Sequence, residues 1–489
     1  MSDYFDVVIV GAGISGIGAA HHLAAHRPGS SFAVLESQSD FGGTWRTHTY
    51  PGTRSDSDLH TFGFGFKPWT GKPIAKAEEI LSYLGEVIED GNLGGHFRYH
   101  HRITTASWSG GDRQWTLKGN LTSTGEEFEY TTGFLWMCQG YYRHTAGFQP
   151  TWPGMDDFEG RIIHPQSWPD DVVYRGTEMV VVGSGATAAT LVPAVANDVA
   201  HVTMVQRTPT YFRAKSNVDD LAEMLRELEV PSEWVHEIVR RKLILENAKF
   251  SELCFADPDV AREQLLDGVR EHLAPEHHYL IDEAFTPPYL PWRERVAVVP
   301  DGDLFRAINS GKASVVTDEI DHFSSSGVKL RSGRHLNADI VVTATGFNLS
   351  VLGDINFEID GSPLAFHDTI TYHGMMFTGV PNMLWVFGYF RASWTLRADL
   401  IAEFAVRLLD HMNRIGANKV VPELRDSDSG MRLRPWIDPE NFNPGYLRRG
   451  LHLLPCQGDR DPWLHRQDYS QERKVFADLD LDDGTLKFS

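Results

Sequence analysis

Two short glycine-rich runs carry the chemistry this sequence can do. VVIVGAGISG, residues 7–16, places Gly11, Gly13 and Gly16 after an apolar run of strand character and ahead of the helix-like IGAAHHLAAH. In a G-x-G-x-x-G turn the first glycine makes the tight turn and the second lets backbone approach a pyrophosphate. The third lets helix and strand pack closely, and the phosphates sit at the helix N-terminus. Glu36 ends the next strand-like run, FAVLE, twenty residues after Gly16. A carboxylate there accepts ribose hydroxyls and repels a 2'-phosphate, so the first site suits FAD or NAD and not NADP. The second run, Gly183-Ser184-Gly185-Ala186-Thr187-Ala188-Ala189, has the G-x-G-x-x-A form and follows another valine-rich strand. Its next strand, HVTMVQ, ends in Arg207-Thr208 instead of an acid. A guanidinium and a hydroxyl suit a 2'-phosphate, which points to NADPH at the second site.

Electrons pass between two such ligands only if their mutual angle is fixed. The segment FEGRIIHPQSWP, residues 158–169, lies between the two nucleotide motifs and is placed to fix it. Phe158 and Trp168 offer packing anchors, Gly160 permits a backbone turn closed to other residues, and His164 brings a polar group to the joint. Earlier, FGGTWRTHTYPGTRSDSD at residues 41–58 reads as a working loop with a turn at Pro51-Gly52. Gly42 and Gly43 let backbone approach a flavin, Trp45 covers it, and Asp56 reaches the inner cleft.

The remaining elements position these groups. Residues 97–137 alternate like an antiparallel excursion that returns the chain to the first sheet, whereas 216–285 are charged, leucine-spaced and nearly free of glycine, hence helical. ADIVVTATGFN, residues 338–348, ends in Ala344-Thr345-Gly346, a crossing back to the first domain, and the Pro-rich C-terminal stretch reads as irregular. The fold expected is α/β, with two Rossmann-like dinucleotide-binding domains and a helical insertion in the second. Residues 1–145 and 344–489 are assigned to the FAD-binding domain, 146–215 and 286–343 to the NADP-binding domain, and 216–285 to the insertion.

A net charge of -21 disfavours nucleic acid and anionic membrane surfaces as partners. Cys138, Cys254 and Cys456 are far apart, form no C-x-x-C pair and match no zinc spacing. A dithiol redox centre and a metal site are therefore not expected, and a reducing, cytoplasmic setting is. No uncharged apolar run long enough to span a membrane is present outside the second glycine motif.

With these residues in view, the chain resembles the class B flavoprotein monooxygenases, and within them the type I Baeyer-Villiger monooxygenases, over essentially its whole length. Their fingerprint F-x-G-x-x-x-H-x-x-x-W-P/D is met by Phe158, Gly160, His164, Trp168 and Pro169. A second pattern, G-G-x-W-x-x-x-x-Y/F-P-G-x-x-x-D, is met by Gly42, Gly43, Trp45, Tyr50, Pro51, Gly52 and Asp56. The wording of PGTRSDSD, HPQSWP, GSGATA, QRTPTY and SWTLRADL is most similar to a mycobacterial branch of that family. The resemblance implies FAD contacts at Ser15, Glu36, Thr44, Trp45, Asp56 and Ile103, and Gly43 and Ser55 beside them are read as cofactor-binding. It implies NADP contacts at Arg54, Gly183 to Ala189, Arg207 and Thr208, and an essential arginine at Arg295, within PWRERVAVVP. The activity implied is oxidation of NADPH and insertion of one atom of O2 beside a ketone carbonyl through a C4a-peroxyflavin, with sulfides as further substrates. A fixed cation is wanted beside that anion, which is the part Arg295 fits, with Asp56 orienting it. Oxygenation of sulfur or nitrogen in place of ketones is the rival within the class. A disulfide reductase shares the two-nucleotide layout but lacks its dithiol here.

Overall fold

The computed structural model describes residues 3–489. Strand β1 (Asp3–Val10) is buried from Val7 to Val10 and enters helix α1 (Ile14–His26) through the first glycine turn. Elements cover both faces of such a strand, which is why its sequence is apolar without alternation. β2 (Phe32–Leu35) pairs with β1 in parallel, and β3 (Phe97–Arg98) extends that edge. The excursion then forms as expected: β4 (His101–Ser109), β5 (Gln114–Leu121) and β6 (Glu127–Met137) make an antiparallel meander, and β6 returns beside β1 in parallel.

A second sheet begins with β7 (Arg161–Ile163) and β8 (Glu178–Val182), which runs through the second glycine turn into helix α2 (Ala186–Val195), followed by β9 (His201–Gln206). After β10 (Phe212–Lys215) come helices α3 (Asp220–Glu227), α4 (Ser232–Ala256) and α5 (Pro258–His272). β11 (Ala297–Pro300) pairs with β10, while β12 (Ala313–Thr317) and β13 (Ile340–Thr343) complete a five-stranded parallel sheet of order β12-β9-β8-β13-β7. The chain then returns to the first sheet: β14 (Asn356–Ile359) lies beside β4, and β15 (Met383–Trp385) beside the end of β6. Helix α6 (Trp394–Ile415) follows and packs in the same apolar core as α1.

The C-terminal stretch departs from its reading as irregular. Asp468 caps helix α7 (Tyr469–Ala477) by accepting from Gln471 N, and Leu486–Phe488 pairs antiparallel with Val420–Pro422. A helix of nine residues carried by one cap and a single buried apolar residue, Phe476, leaves little periodicity to read.

Arg240 of α4 pins the helical region to the first domain. It is buried, and its Nη1 donates to the carbonyls of His60 at 2.9 Å and Gly63 at 2.9 Å. His60 and His236 meet at this junction with ring centroids 6.3 Å apart. Burial, then His236, lowers His60 to about 4, and burial, then Arg240, lowers His236 to about 4, against 6.5 for a free imidazole. Between these values the unfolded chain binds protons that the folded one does not. This contribution to stability is complete above the unfolded pKa and is lost as pH falls through the window from 6.5 to 4. We expect the melting temperature to fall from about pH 7 to about pH 5, and His236→Gln to make that fall shallower; an unchanged slope would refute the assignment.

Candidate active site

Both glycine turns open into one cavity of about 1060 Å³. Gly13 and Gly185 cap the two helices with ordinary backbone, φ -76° and -73°. A Cβ at Gly185 would meet no protein atom within 4 Å, and one at Gly13 would meet only Gly43 Cα at 3.6 Å. Neither turn geometry nor packing requires glycine at these places. A missing side chain in front of helix N-terminal N–H groups leaves room for a pyrophosphate, so both turns fit a dinucleotide. Gly16 differs, because its Cβ would fall 1.9 Å from the Gly11 carbonyl oxygen, the close packing expected of the third glycine.

Glu36 is buried at the end of β2. Its Oε2 accepts from Ala12 N at 2.7 Å and its Oε1 from Gln38 N at 2.8 Å, which fixes the carboxylate on the cavity wall with acceptor capacity left for ribose hydroxyls. Ser15 Oγ accepts from Trp394 Nε1 at 2.8 Å, so its own proton is free to donate. Thr44 and Tyr142 share a hydroxyl contact of 2.9 Å, and Trp45 stands edge-on to Phe62 with centroids 5.7 Å apart. Gly11, Gly43, Trp45 and Ile103 also line the wall. From the second domain Gly183, Ser184, Ala186, Thr187 and Thr208 line it. Arg207 lines it as an exposed guanidinium with no ion-pair partner among the described residues.

Asp56 and Arg295 come together in this cavity, with Arg295 Nε 2.7 Å from Asp56 Oδ2. The Asp56 carboxylate raises the guanidinium pKa further, burial opposes it, and Tyr141 and Tyr446 add to the rise, so the cation is permanent. Asp56 stands between two anchored points. Ser55 exchanges hydrogen bonds with Ala75, at 2.9 Å and 3.2 Å, and Asp58 caps the turn Leu59–Phe62 by accepting from Thr61 N at 2.8 Å. Tyr141 stacks on Trp394 at 5.5 Å and meets Tyr446 at 5.8 Å, so three aromatic rings crowd the space beside the ion pair.

Several expected contacts lie elsewhere. Ser55 is buried against Ala75 and does not line the cavity; its place is to hold Asp56. Ala188 and Ala189 are buried in the second core, because after one turn of α2 the helix has rotated them away from the cleft. Arg54 lines the cavity, but its guanidinium is taken up by Asp303 and the Ala189 carbonyl.

The fingerprint residues stand behind the cleft and do not line it. His164 Nε2 lies 3.2 Å from the Gly346 carbonyl and its Nδ1 accepts from Gln166 N at 3.2 Å. Burial lowers its pKa, so a neutral ring ties the linker to the return crossing. Phe158 packs edge-on against Phe323 at 5.8 Å and Trp168 against Tyr174 at 6.4 Å, with Pro169 following. Gly160 corrects one reading: a Cβ there would fall 2.3 Å from the Asp339 carbonyl, so close approach demands glycine and not a left-handed turn.

Tyr141, Trp394, Tyr446, Arg448 and Glu294 line the cavity without having been singled out from sequence. Burial raises the Glu294 carboxyl, with Arg448 and then Arg207 pulling it back. The adjacency of Glu294 to Arg295 is the one signal that pointed toward any of them.

Two nucleotide turns sharing a cleft with a fixed cation define a two-coenzyme flavoprotein oxidoreductase. Residues 9–72 match a family model described as an NAD(P)-binding Rossmann-like domain. The chain is 44% identical to the FAD-containing monooxygenase EthA of Mycobacterium tuberculosis (strain ATCC 25618 / H37Rv) over 491 residues, covering 100% of this chain and 98% of that protein. It is 41% identical to the putative FAD-containing monooxygenase MymA of the same strain over 496 residues, with the same coverage, 100% and 98%. The chain belongs to the FAD-containing monooxygenases. In fold it is similar to an oxidised steroid monooxygenase bound to NADP, with TM-score 0.77 and 20% identity over 99% of both chains. None of the described helices is long and apolar enough to cross a membrane.

Proposed function

We propose that the chain is an NADPH-dependent Baeyer-Villiger monooxygenase that inserts one atom of O2 beside a ketone carbonyl, giving an ester or lactone, and that it acts in the cytoplasm. The Asp56–Arg295 pair, in the same cleft as both glycine turns, carries this reading. When bound, FAD supplies the redox chemistry, taking hydride from NADPH and activating dioxygen. Gly13 and Ser15 would hold its pyrophosphate, Glu36 its ribose, and Gly43, Thr44 and Trp45 its ring system. Gly185 and Thr187 would hold the phosphates of NADPH, with Arg207 and Thr208 on the 2'-phosphate. Arg295 places a charge that cannot titrate near neutral pH where negative charge develops on oxygen. Asp56 orients that guanidinium through Nε. Tyr141, Trp394 and Tyr446 exclude water from the same space.

Holoenzyme given a panel of ketones and sulfides, with NADPH oxidation and products followed together, is expected to form esters in step with NADPH consumed. Sulfoxides alone, without esters, would favour the heteroatom rival. Arg207→Ala is expected to weaken NADPH binding by about 1.5–3 kcal/mol, the worth of a charge-assisted hydrogen bond, and to leave NADH nearly unchanged. Titration of both coenzymes checks it, and equal losses would remove Arg207 from the 2'-phosphate.

A further inference from the structure

A second cavity, of about 470 Å³, shares a wall with the first. Tyr389 and Ala392 line the large cavity and Phe390 and Arg391 the small one; likewise Pro444 and Tyr446 line the large one, and Asn441 and Phe442 the small one. The two runs meet where the rings of Phe390 and Phe442 pack 4.7 Å apart at 32°. Chain-adjacent residues thus line both cavities, and the Phe390–Phe442 ring pair lies at their boundary.

The buried polar atoms without a partner on the small cavity's wall are donors. Arg391, Arg432 and Arg434 line it, and none has a carboxylate at ion-pairing distance among the described residues, in a chain with 66 acidic against 45 basic residues. Arg391 donates from Nη2 to the Asn441 carbonyl, its Nε is enclosed with no partner among the described residues, and its guanidinium lies 4.6 Å over Phe255 and 5.6 Å over Phe442. Burial, then the neighbouring Arg293, lowers it to about 10, against the pull of Cys254 and Asp438. Trp436 is 1% exposed and its Nε1 also lacks a partner.

The side-chain amide and imidazole acceptors on this wall are engaged, and its two carboxylates, Asp438 and Glu440, are exposed to solvent, as are Arg432 and Arg434. Gln457 and Gln467 accept from His465 N at 3.0 Å and Phe390 N at 2.8 Å, and His465 Nε2 accepts from Gln467 at 2.8 Å. Asp438 accepts from Glu440 N at 2.9 Å and Asn441 Nδ2 at 2.8 Å, and both Asp438 and Glu440 are exposed. A pocket lined by three arginines against two solvent-exposed carboxylates, with walls of Phe390, Phe442 and Ile437, favours an anion on an apolar body.

We propose that this cavity binds the carboxylate of an apolar acid, with Arg391 as its principal partner. The carboxylate has two sources of the same chemistry. It is the far end of an oxo acid whose ketone reaches Arg295, which rests on the proposed oxygenation, or it is a separate fatty acid, which does not. Holoenzyme is titrated with decanoate by calorimetry, as wild type and as Arg391→Gln. In parallel, kcat/KM is measured for methyl nonyl ketone and for its ω-carboxylated analogue.

Decanoate is expected to bind the wild type and to bind Arg391→Gln roughly tenfold more weakly or worse. If the substrate itself carries the acid, the wild type favours the carboxylated ketone roughly tenfold, and Arg391→Gln removes that preference while the neutral ketone turns over as before. Decanoate binding without such a preference establishes a separate ligand, which supports the site. Should Arg391→Gln lose its flavin, Arg434→Gln takes its place. No heat with decanoate and equal turnover of the two ketones overturn the proposal. Decanoate binding that depends on Arg391, with neither ketone oxidised, leaves the site standing and counts against the proposed ketone oxygenation instead.

Discussion

Arg295→Ala is expected to purify yellow, to melt like the wild type, and to form no measurable ester while still oxidising NADPH slowly. The flavin should remain because Gly13, Ser15 and Glu36, which the substitution leaves in place, still line the cleft. Stability should hold because the pair is open to the cavity, with side-chain exposures of 40% for Arg295 and 30% for Asp56, and exposed ion pairs are worth about 0–1 kcal/mol. Oxygen transfer is different. Removing one preorganised donor from a developing oxyanion costs on the order of 10²–10³ in rate, and here a whole cation disappears. Without it, activated oxygen is protonated and leaves as hydrogen peroxide, so a peroxidase-coupled assay should account for the NADPH consumed.

Arg295→Lys keeps the charge as a point on a flexible stem and should recover only part of the ester yield. Asp56→Asn keeps the shape but relaxes the restraint, and should lower coupling less than the alanine variant at position 295. Normal ketone turnover by Arg295→Ala would end the assignment.

The sequence made most of the residues around the two glycine turns visible and little of the rest of the cavity wall. Turn, acid and arginine lie at fixed offsets along one strand and helix, so Gly13, Glu36, Gly185 and Arg207 could be placed by local geometry alone. Asp56 and Arg295 are 239 positions apart (295 minus 56), and only the likeness to a family brought them together before the cleft did. Helix rotation decided against Ala188 and Ala189, a contact no spacing rule weighs. Gly160 was legible as an obligate glycine but not for its reason, since the Asp339 carbonyl that crowds it belongs to a distant segment. Tyr141, Trp394 and Tyr446 converge from three separate stretches with no motif between them, and Arg391 meets Phe442 in the same way.

Those convergent walls depend on a buried charge pair, and its loss should be the largest stability effect in the chain. Arg397 is 0% exposed and Glu472 1%, with Nε 2.9 Å from Oε2. Arg397 also donates to the carbonyls of Phe387 at 2.7 Å and His373 at 2.6 Å, and Tyr389 donates to Glu472 at 2.6 Å. The pair thus clasps α6 and α7 to the run 387–392, whose residues face both cavities. Glu472→Ala would leave a guanidinium in the interior without its counter-charge, and breaking such a pair costs about 3–5 kcal/mol.

Adding Arg397→Met to that variant removes the stranded charge. The double variant should therefore lose less than the two single losses summed, although the Phe387 and His373 carbonyls and the Tyr389 hydroxyl stay unpaired. Urea midpoints of the four proteins give the coupling directly. In the surviving folded fraction of Glu472→Ala the Tyr389 wall is loosened while Arg295 is not. Ketone KM should then rise before kcat falls, and a cost under about 1 kcal/mol would mean that the clasp is not what holds the wall.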